Sequence, residues 1–387
     1  MILKQTNNLT EYIISFTTRK KKYLTSILFL LFLVTFPPNI IQKRIYGNWE
    51  PVELVVQEFL NAKIHNPWKP VSNFSADTHF AKRDLRITPY LLGSILQIKA
   101  IKLFYLQILL FPLFIYLLLT LLWRFSDEDG LSTFYTTVAL LFSYVGNSFF
   151  FDTLFLDSLG YFSLLVCFFF LRSPLLFPWL LVTFFIDERT IAPTLIFPLS
   201  IYLRYSNPKI ELSVLTFLKK TSWGNRTFWL VLGAILSYVF IRYILFQAFG
   251  LKTPVGAKNG VSPMTAFKFG LKAFVAYFSA CKATYFFVFA SVFIAVKNKH
   301  FWVALWLSLV FLLISLVGLS VEDITRSVAY GFPVILVAFQ YISGVKKIEK
   351  ESWINITQRI ALVSLLVPTY TLLVVLVRIE AFAWLLK

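Results

Sequence analysis

The stretch FFIDERTIAPTL, positions 184–195, sets Asp187, Glu188 and Arg189 side by side in one of the most apolar parts of the chain. A full charge at the centre of a bilayer costs roughly 2.5–3.5 kcal/mol on insertion scales. Three ionisable groups together therefore belong at an interface or in a wet cavity. A second acidic and basic group, SVEDITRS at 320–327, also follows an apolar run. Asp323 and Glu322 precede Arg326 by three and four residues, so in a helical turn either carboxylate reaches the guanidinium. A third stretch, FDTLFLDS at 151–158, offers Asp152 and Asp157, and a fourth, SADTHFAKRDLR at 75–86, gathers Asp77, His79, Lys82, Arg83, Asp84 and Arg86. Taken singly, each reads as loop charge in water. Converging on one face, they describe a shared cavity.

These residue types suit one chemistry. A guanidinium grips phosphate through parallel hydrogen bonds. A carboxylate takes the proton of an attacking hydroxyl. Positive groups stabilise the charge that develops on a departing phosphate. Together they fit group transfer from a lipid-phosphate donor to a hydroxyl acceptor.

The elements that must position these groups are helices in a membrane. The 387 residues are 58% hydrophobic and only 14% charged, against about 25% charged in soluble domains. The expected fold class is all-α, a polytopic integral membrane protein with about 11 transmembrane helices in a single domain over 1–387. The runs fall near 23–41, 101–122, 131–150, 159–171, 175–186, 190–203, 227–247, 272–296, 301–319, 327–345 and 360–378. The three runs between 159 and 203 are each short for a bilayer of about 30 Å, and such helices are tolerated where they are buried or line a cavity. Lys and Arg collect in alternate turns, beginning with RKKK at 19–22. The positive-inside rule then puts the N-terminus in the cytoplasm and the acidic clusters on the extracytoplasmic face. RKKK and the apolar run after it lack a small-residue cleavage site, so they read as an uncleaved first helix. The net charge of +18 belongs to this topology, and no nucleic-acid partner is expected. No P-loop or G-x-G-x-x-G is present, nor a His/Cys cluster. Cys167 and Cys281 read as small core residues.

Segment 42–98 is expected to be a long first extracytoplasmic loop carrying interfacial helices. Within YGNWEPVELVVQEFL (46–60), helical spacing puts Glu50, Glu53 and Gln57 on one side and Val52, Val55, Val56 and Phe59 on the other. ITPYLLGSILQI, starting at 87, is a second interfacial candidate.

With its acidic NWEPVE (48–53) after the first helix, its short central helices and its FFIDERTIAP and EDITRSVAYGFP stretches, the chain resembles the GT-C superfamily of polytopic glycosyltransferases. The resemblance implies a polyprenyl-phosphate sugar donor, membrane lipids as surroundings, and a general base at Glu50 or Glu53, with Asp77 and Asp187 next in line. His79, Arg83, Arg86, Asp152, Asp157, Glu188, Arg189, Asp323 and Arg326 are the substrate-binding candidates. The chain lacks the adjacent acidic pair that several such families carry directly after the first helix. No cofactor is expected, although Asp152 and Asp157 are hard oxygen ligands suited to a divalent cation. A bacterial cytoplasmic membrane is the expected location. The alternatives are a secondary transporter, for which Lys282 inside the run 272–296 speaks, a polysaccharide polymerase or ligase, and a noncatalytic scaffold.

Overall fold

The computed structural model describes residues 21–35, 51–71, 83–126, 129–151, 156–205, 217, 223–251, 262, 269–345, 349–370 and 375–376. Among them the chain runs α1 (Lys21–Thr35), α2 (Pro51–His65), α3 (Ile87–Ile95), α4 (Ala100–Phe125), α5 (Gly130–Leu141), α6 (Tyr144–Phe151), α7 (Asp157–Phe170), α8 (Leu176–Phe184), α9 (Ile191–Thr194) and α10 (Phe197–Tyr205). It continues through α11 (Trp223–Phe249), α12 (Leu271–Cys281), α13 (Tyr285–Lys297), α14 (Phe301–Leu319), α15 (Ile324–Ala329), α16 (Phe332–Val345) and α17 (Lys350–Leu366). A two-residue antiparallel pair, β1 (Thr369–Tyr370) with β2 (Val375–Leu376), follows.

This is an all-α, membrane-embedded protein. Five helical stretches are long and apolar enough to cross a bilayer: Ala100–Phe125, Gly224–Phe249, Leu271–Lys297, Phe301–Leu319 and Ile324–Val345. Their sequences dictate this. Long Leu, Phe, Ile and Val runs favour burial or lipid on every side, and the 26 residues of α4 extend about 39 Å at 1.5 Å per residue. The core is aromatic: Phe111 packs on Phe32 with ring centroids 4.6 Å apart and on Phe149 at 4.9 Å.

Several expected continuous helices are broken, each for a local reason. The run 131–150 divides at Phe142 and Ser143. The Ser143 hydroxyl donates to the Leu140 carbonyl at 2.7 Å and accepts from the Val145 amide at 3.3 Å, closing one helix and opening the next. Gly146 is required here, because a Cβ would lie 2.2 Å from the Leu141 carbonyl oxygen. The run 272–296 breaks at Lys282, whose φ of 51° lies in the left-handed region that side chains disfavour. The run 327–345 starts earlier, at Ile324, and is interrupted between Ala329 and Phe332.

The expectation of a helix over 360–378 is corrected. The helix begins at Lys350 and stops at Leu366. Val367 is extended, as the residue before a proline must be, and Pro368 cannot continue the helical hydrogen bonding. The first loop does contain helices, α2 and α3, but the orientation of α2 differs from expectation. Val56 and Phe59 are buried at 2% and 1% exposure, whereas Val55 is 40% exposed beside Leu54. The buried stripe follows positions 56, 59, 60 and 64, packed on Tyr90 and Leu103.

Candidate functional site

Asp157, Asp187, Arg189 and Arg326 come from three separate places in the sequence and meet at one end of the bundle. The residue before Asp157, Leu156, is left-handed with φ 60°, a strained conformation for a leucine. That backbone aims Asp157 inward at the start of α7, where the helix dipole favours negative charge. Asp187 follows α8 and caps the short turn Glu188–Thr190, its Oδ1 accepting the Arg189 amide at 2.9 Å. Thr190 Oγ1 donates to the Asp187 carbonyl at 2.6 Å and tightens the same turn. Arg326 lies in α15 directly after the C-terminus of α14.

The Arg189 guanidinium is the centre. Its Nε donates to Asp187 Oδ1 at 2.8 Å, one terminal nitrogen to Asp187 Oδ2 at 2.6 Å and Asp157 Oδ1 at 2.7 Å, and the other to Ser327 Oγ at 3.0 Å. Its face lies 5.0 Å from the Tyr330 ring centroid. Asp157 bridges to the second arginine, its Oδ2 accepting from Arg326 Nε at 2.6 Å, and Tyr330 Oη donates to its Oδ1 at 3.3 Å. Gly160 permits this: a Cβ there would sit 2.9 Å from the Tyr330 hydroxyl. Arg326 also donates to Asp323 Oδ2 at 3.0 Å, the three-residue pairing read from the sequence. Tyr161 Oη completes the frame by donating to the Arg326 carbonyl at 2.9 Å.

Arg86 closes the cluster from the first loop. Helix α3 docks on the end of α8 through the Thr88 amide to the Phe185 carbonyl at 3.2 Å and Thr88 Oγ1 to the Val182 carbonyl at 2.9 Å. That contact brings Arg86 within 2.9 Å of Asp187 Oδ2 and 3.5 Å of Glu188 Oε2. Burial alone would raise the Asp187 carboxyl, but Arg189 and Arg86 hold it below the usual carboxylate range. Arg83 is buried beside this group. Burial lowers its pKa, and the like charges of Arg86 and Arg326 lower it further. A separate buried pair supports the loop: Lys63 Nζ lies 3.5 Å from Asp84 Oδ1 and 5.6 Å from the Tyr90 ring centroid.

Of the predicted site residues, the structure therefore unites Arg83, Arg86, Asp157, Asp187, Glu188, Arg189, Asp323 and Arg326. Glu53 stands in the first turn of α2. Glu50, Asp77, His79 and Asp152 lie outside the described residues. Within the cluster the carboxylates differ in access. Asp157 and Asp187 have side chains 0% and 1% exposed, while those of Glu188 and Asp323 are 31% and 30% exposed. Among the described residues no group of three or more His, Cys, Asp or Glu is arranged to hold a metal ion.

The sequence reading missed Tyr330, Ser327 and Tyr161. Their contacts run between distant segments, Tyr161 to the Arg326 carbonyl, Tyr330 to Asp157 and Ser327 to Arg189, so local spacing carried no signal for them. It also missed the role of Lys282. Its Nζ donates to the carbonyls of Phe142, Ser364 and Val367 at 2.7, 2.8 and 2.6 Å. These are the C-terminal ends of α5 and α17, where carbonyls lack intrahelical donors and the dipole attracts a cation. The extended segment that follows is fixed by Asn147 Nδ2 to Thr369 Oγ1 at 2.8 Å and by Thr325 Oγ1 to the Tyr370 carbonyl at 2.9 Å. Thr325 neighbours Arg326, so this segment also supports the charged cluster.

No protein-family model, no curated protein and no solved structure matches this chain.

Proposed function

We propose that this protein is a membrane glycosyltransferase of GT-C type. It would move a sugar from a polyprenyl-phosphate donor to a hydroxyl acceptor on the extracytoplasmic face, with inversion. The observation that carries the reading is the cluster itself: buried arginines at helix ends, with a carboxylate about one-third exposed, Glu188, beside Arg86.

The geometry distributes roles differently from the sequence alone. Asp187 accepts four hydrogen bonds or ion-pair contacts from Arg189 and Arg86. A carboxylate so held is a weak base. Glu188 carries one long contact, 3.5 Å to Arg86, and is the better proton acceptor. Arg189 is likewise occupied by protein oxygens, which makes it a positioning residue. Arg83 and Arg86 then face the donor phosphate and stabilise its charge as the sugar departs. The hydroxyl attacks the anomeric carbon, its proton passes to Glu188, and the bond from that carbon to the phosphate oxygen breaks. The electron pair stays on the lipid phosphate. Glu53 is the remaining described candidate for the base.

The test is sugar transfer by the purified protein in proteoliposomes containing a polyprenyl-phosphate sugar. Glu188→Gln keeps volume and removes the base, so transfer should fall roughly 10²–10⁴-fold with donor binding retained. Normal transfer by Glu188→Gln but loss in Glu53→Gln would move the base to α2. No transfer by the wild type from any lipid donor would remove the reading.

One observation favours a secondary transporter instead. Broken helices whose C-terminal ends meet in the bundle interior are the usual setting for a coupling cation, and α5, α12 and α17 have that arrangement. Here the Lys282 ammonium fills the place. A transporter would show solute flux by the wild-type protein in proteoliposomes, where the glycosyltransferase reading expects none.

A further inference from the structure

We infer that Arg242 binds the phosphate of a membrane lipid beside the charged cluster. The inference rests on the reading of that cluster as a lipid-phosphate site and names the residue that meets the lipid first. Arg242 lies seven residues before the end of the apolar helix α11, about 10 Å along its axis. Lipid-facing side chains flank it: Val239, Phe240 and Tyr243 are 57%, 64% and 60% exposed. From there the long side chain reaches the headgroup level, where lipid phosphates lie.

The protein supplies little. The contacts of Arg242 are a hydrogen bond to Tyr238 Oη at 3.4 Å, long for this bond type, and the Tyr238 ring at 5.9 Å. Among the described residues no carboxylate lies within ion-pair distance of it. An arginine that served packing alone would be expected to find a carboxylate, as Arg189 and Arg326 do.

The side of α11 that carries Arg242 faces the cluster. Tyr238, Arg242 and Leu245 follow one another at spacings of four and three residues, so they share one stripe. Tyr238 is buried, with its ring 4.8 Å from that of Phe185, two residues before Asp187. Leu245 is buried in a cluster with Leu85 and Ile87, which flank Arg86. Arg242 is therefore held between the two contacts that position Arg86 and Asp187–Glu188. It occupies the boundary between that stripe and the lipid-facing surface. A lipid phosphate bound to Arg242 would therefore lie beside the segments that carry Arg86 and Glu188. Trp68 on Phe249, ring centroids 5.6 Å apart, puts an aromatic pair of the interfacial kind at the end of the same helix.

The experiment measures lipid retention, separately from transfer. The full-length protein in detergent is mixed with a long-chain isoprenyl monophosphate and the bound lipid is counted by native mass spectrometry. Arg242→Ala should weaken retention about 10- to 100-fold, the range of a charge-assisted hydrogen bond. Arg242→Lys should lie between, since it keeps the charge and loses the planar fork. Arg226→Ala, near the other end of the same helix, should retain the lipid as wild type does. Millimolar inorganic phosphate should not displace it; displacement would overturn the lipid site in favour of a free-anion site. Equal retention by wild type, Arg242→Ala and Arg242→Lys would overturn the inference even if the wild type transfers sugar. Arg242-dependent retention with no transfer from any donor would keep the inference and remove the glycosyltransferase reading.

Discussion

Arg189 and Lys282 are both buried cations beside helix ends, yet the molecule neutralises them by different means. Arg189 meets two carboxylates and a hydroxyl, and partially exposed acids, Glu188 and Asp323, stand around it. Lys282 meets three backbone carbonyls, and it is 1% exposed. The first arrangement has titratable members and an edge, so a ligand's charge can enter the exchange. The second fixes three chain segments in the bundle interior. On the proposed reading, charge set against side chains makes a site, and charge set against backbone makes a frame.

The comparison is broken most readily at Lys282. Lys282→Met leaves three carbonyls without their donor, each at ~1–3 kcal/mol, so a loss of several kcal/mol is expected in detergent unfolding assays. No second substitution should rescue it, because backbone carbonyls cannot be mutated away. A loss within about 1 kcal/mol would show that the helix ends do not depend on the ammonium.

The cluster should behave differently. Asp157→Asn removes the carboxylate shared by two guanidiniums, leaving Arg189 with Asp187 and Arg326 with Asp323, and is expected to cost about 1.5–3 kcal/mol, the range for a hydrogen bond to a charged group. Adding Arg326→Gln should return part of that loss, with a coupling of roughly 0.5–3 kcal/mol in a double-mutant cycle. Strict additivity would contradict the bridge through Asp157.

The Lys63–Asp84 pair in the first loop gives the smallest effect. Burial raises the Asp84 carboxyl, with Lys63 opposing, and burial lowers Lys63, with Asp84 opposing. A carboxyl raised in the folded state adds stability below its unfolded value, lost as pH rises through the folded value. A lysine lowered in the folded state adds stability above its unfolded value, lost as pH falls through the folded one. Neutral pH is thus the least favourable range for the pair. Wild type should gain Tm relative to Lys63→Met/Asp84→Asn as pH falls from about 7 to about 4. An unchanged difference would mean the pair titrates as it does in water.

Much of the site was legible in the sequence, and the reasons for the rest are physical. DERT and EDITR stood out because charge is expensive in apolar runs, and Asp323 pairs with Arg326 as the spacing requires. The joining role of Asp157 was not readable, because it depends on a strained leucine and on contacts across more than 160 residues. Pro368 should have ended the last helix; the apolar run on either side of it masked the stop. The breaks at Ser143 and Lys282 were masked because each falls within a long, mainly apolar run that resumes as helix on the other side. Val55 was placed on the wrong side of α2 because that helix has apolar residues on both faces.

The central claim is that the charged cluster meets a lipid-phosphate ligand and the Lys282 frame does not. Hydrogen exchange on the wild-type protein in nanodiscs, with and without a polyprenyl-phosphate sugar, tests it most directly. The account predicts ligand-dependent protection at 83–90, 186–190 and 322–328, with amides at 142–145, 281–285 and 363–367 unchanged. Protection confined to the Lys282 segments, or found in neither region at saturating donor, would contradict it.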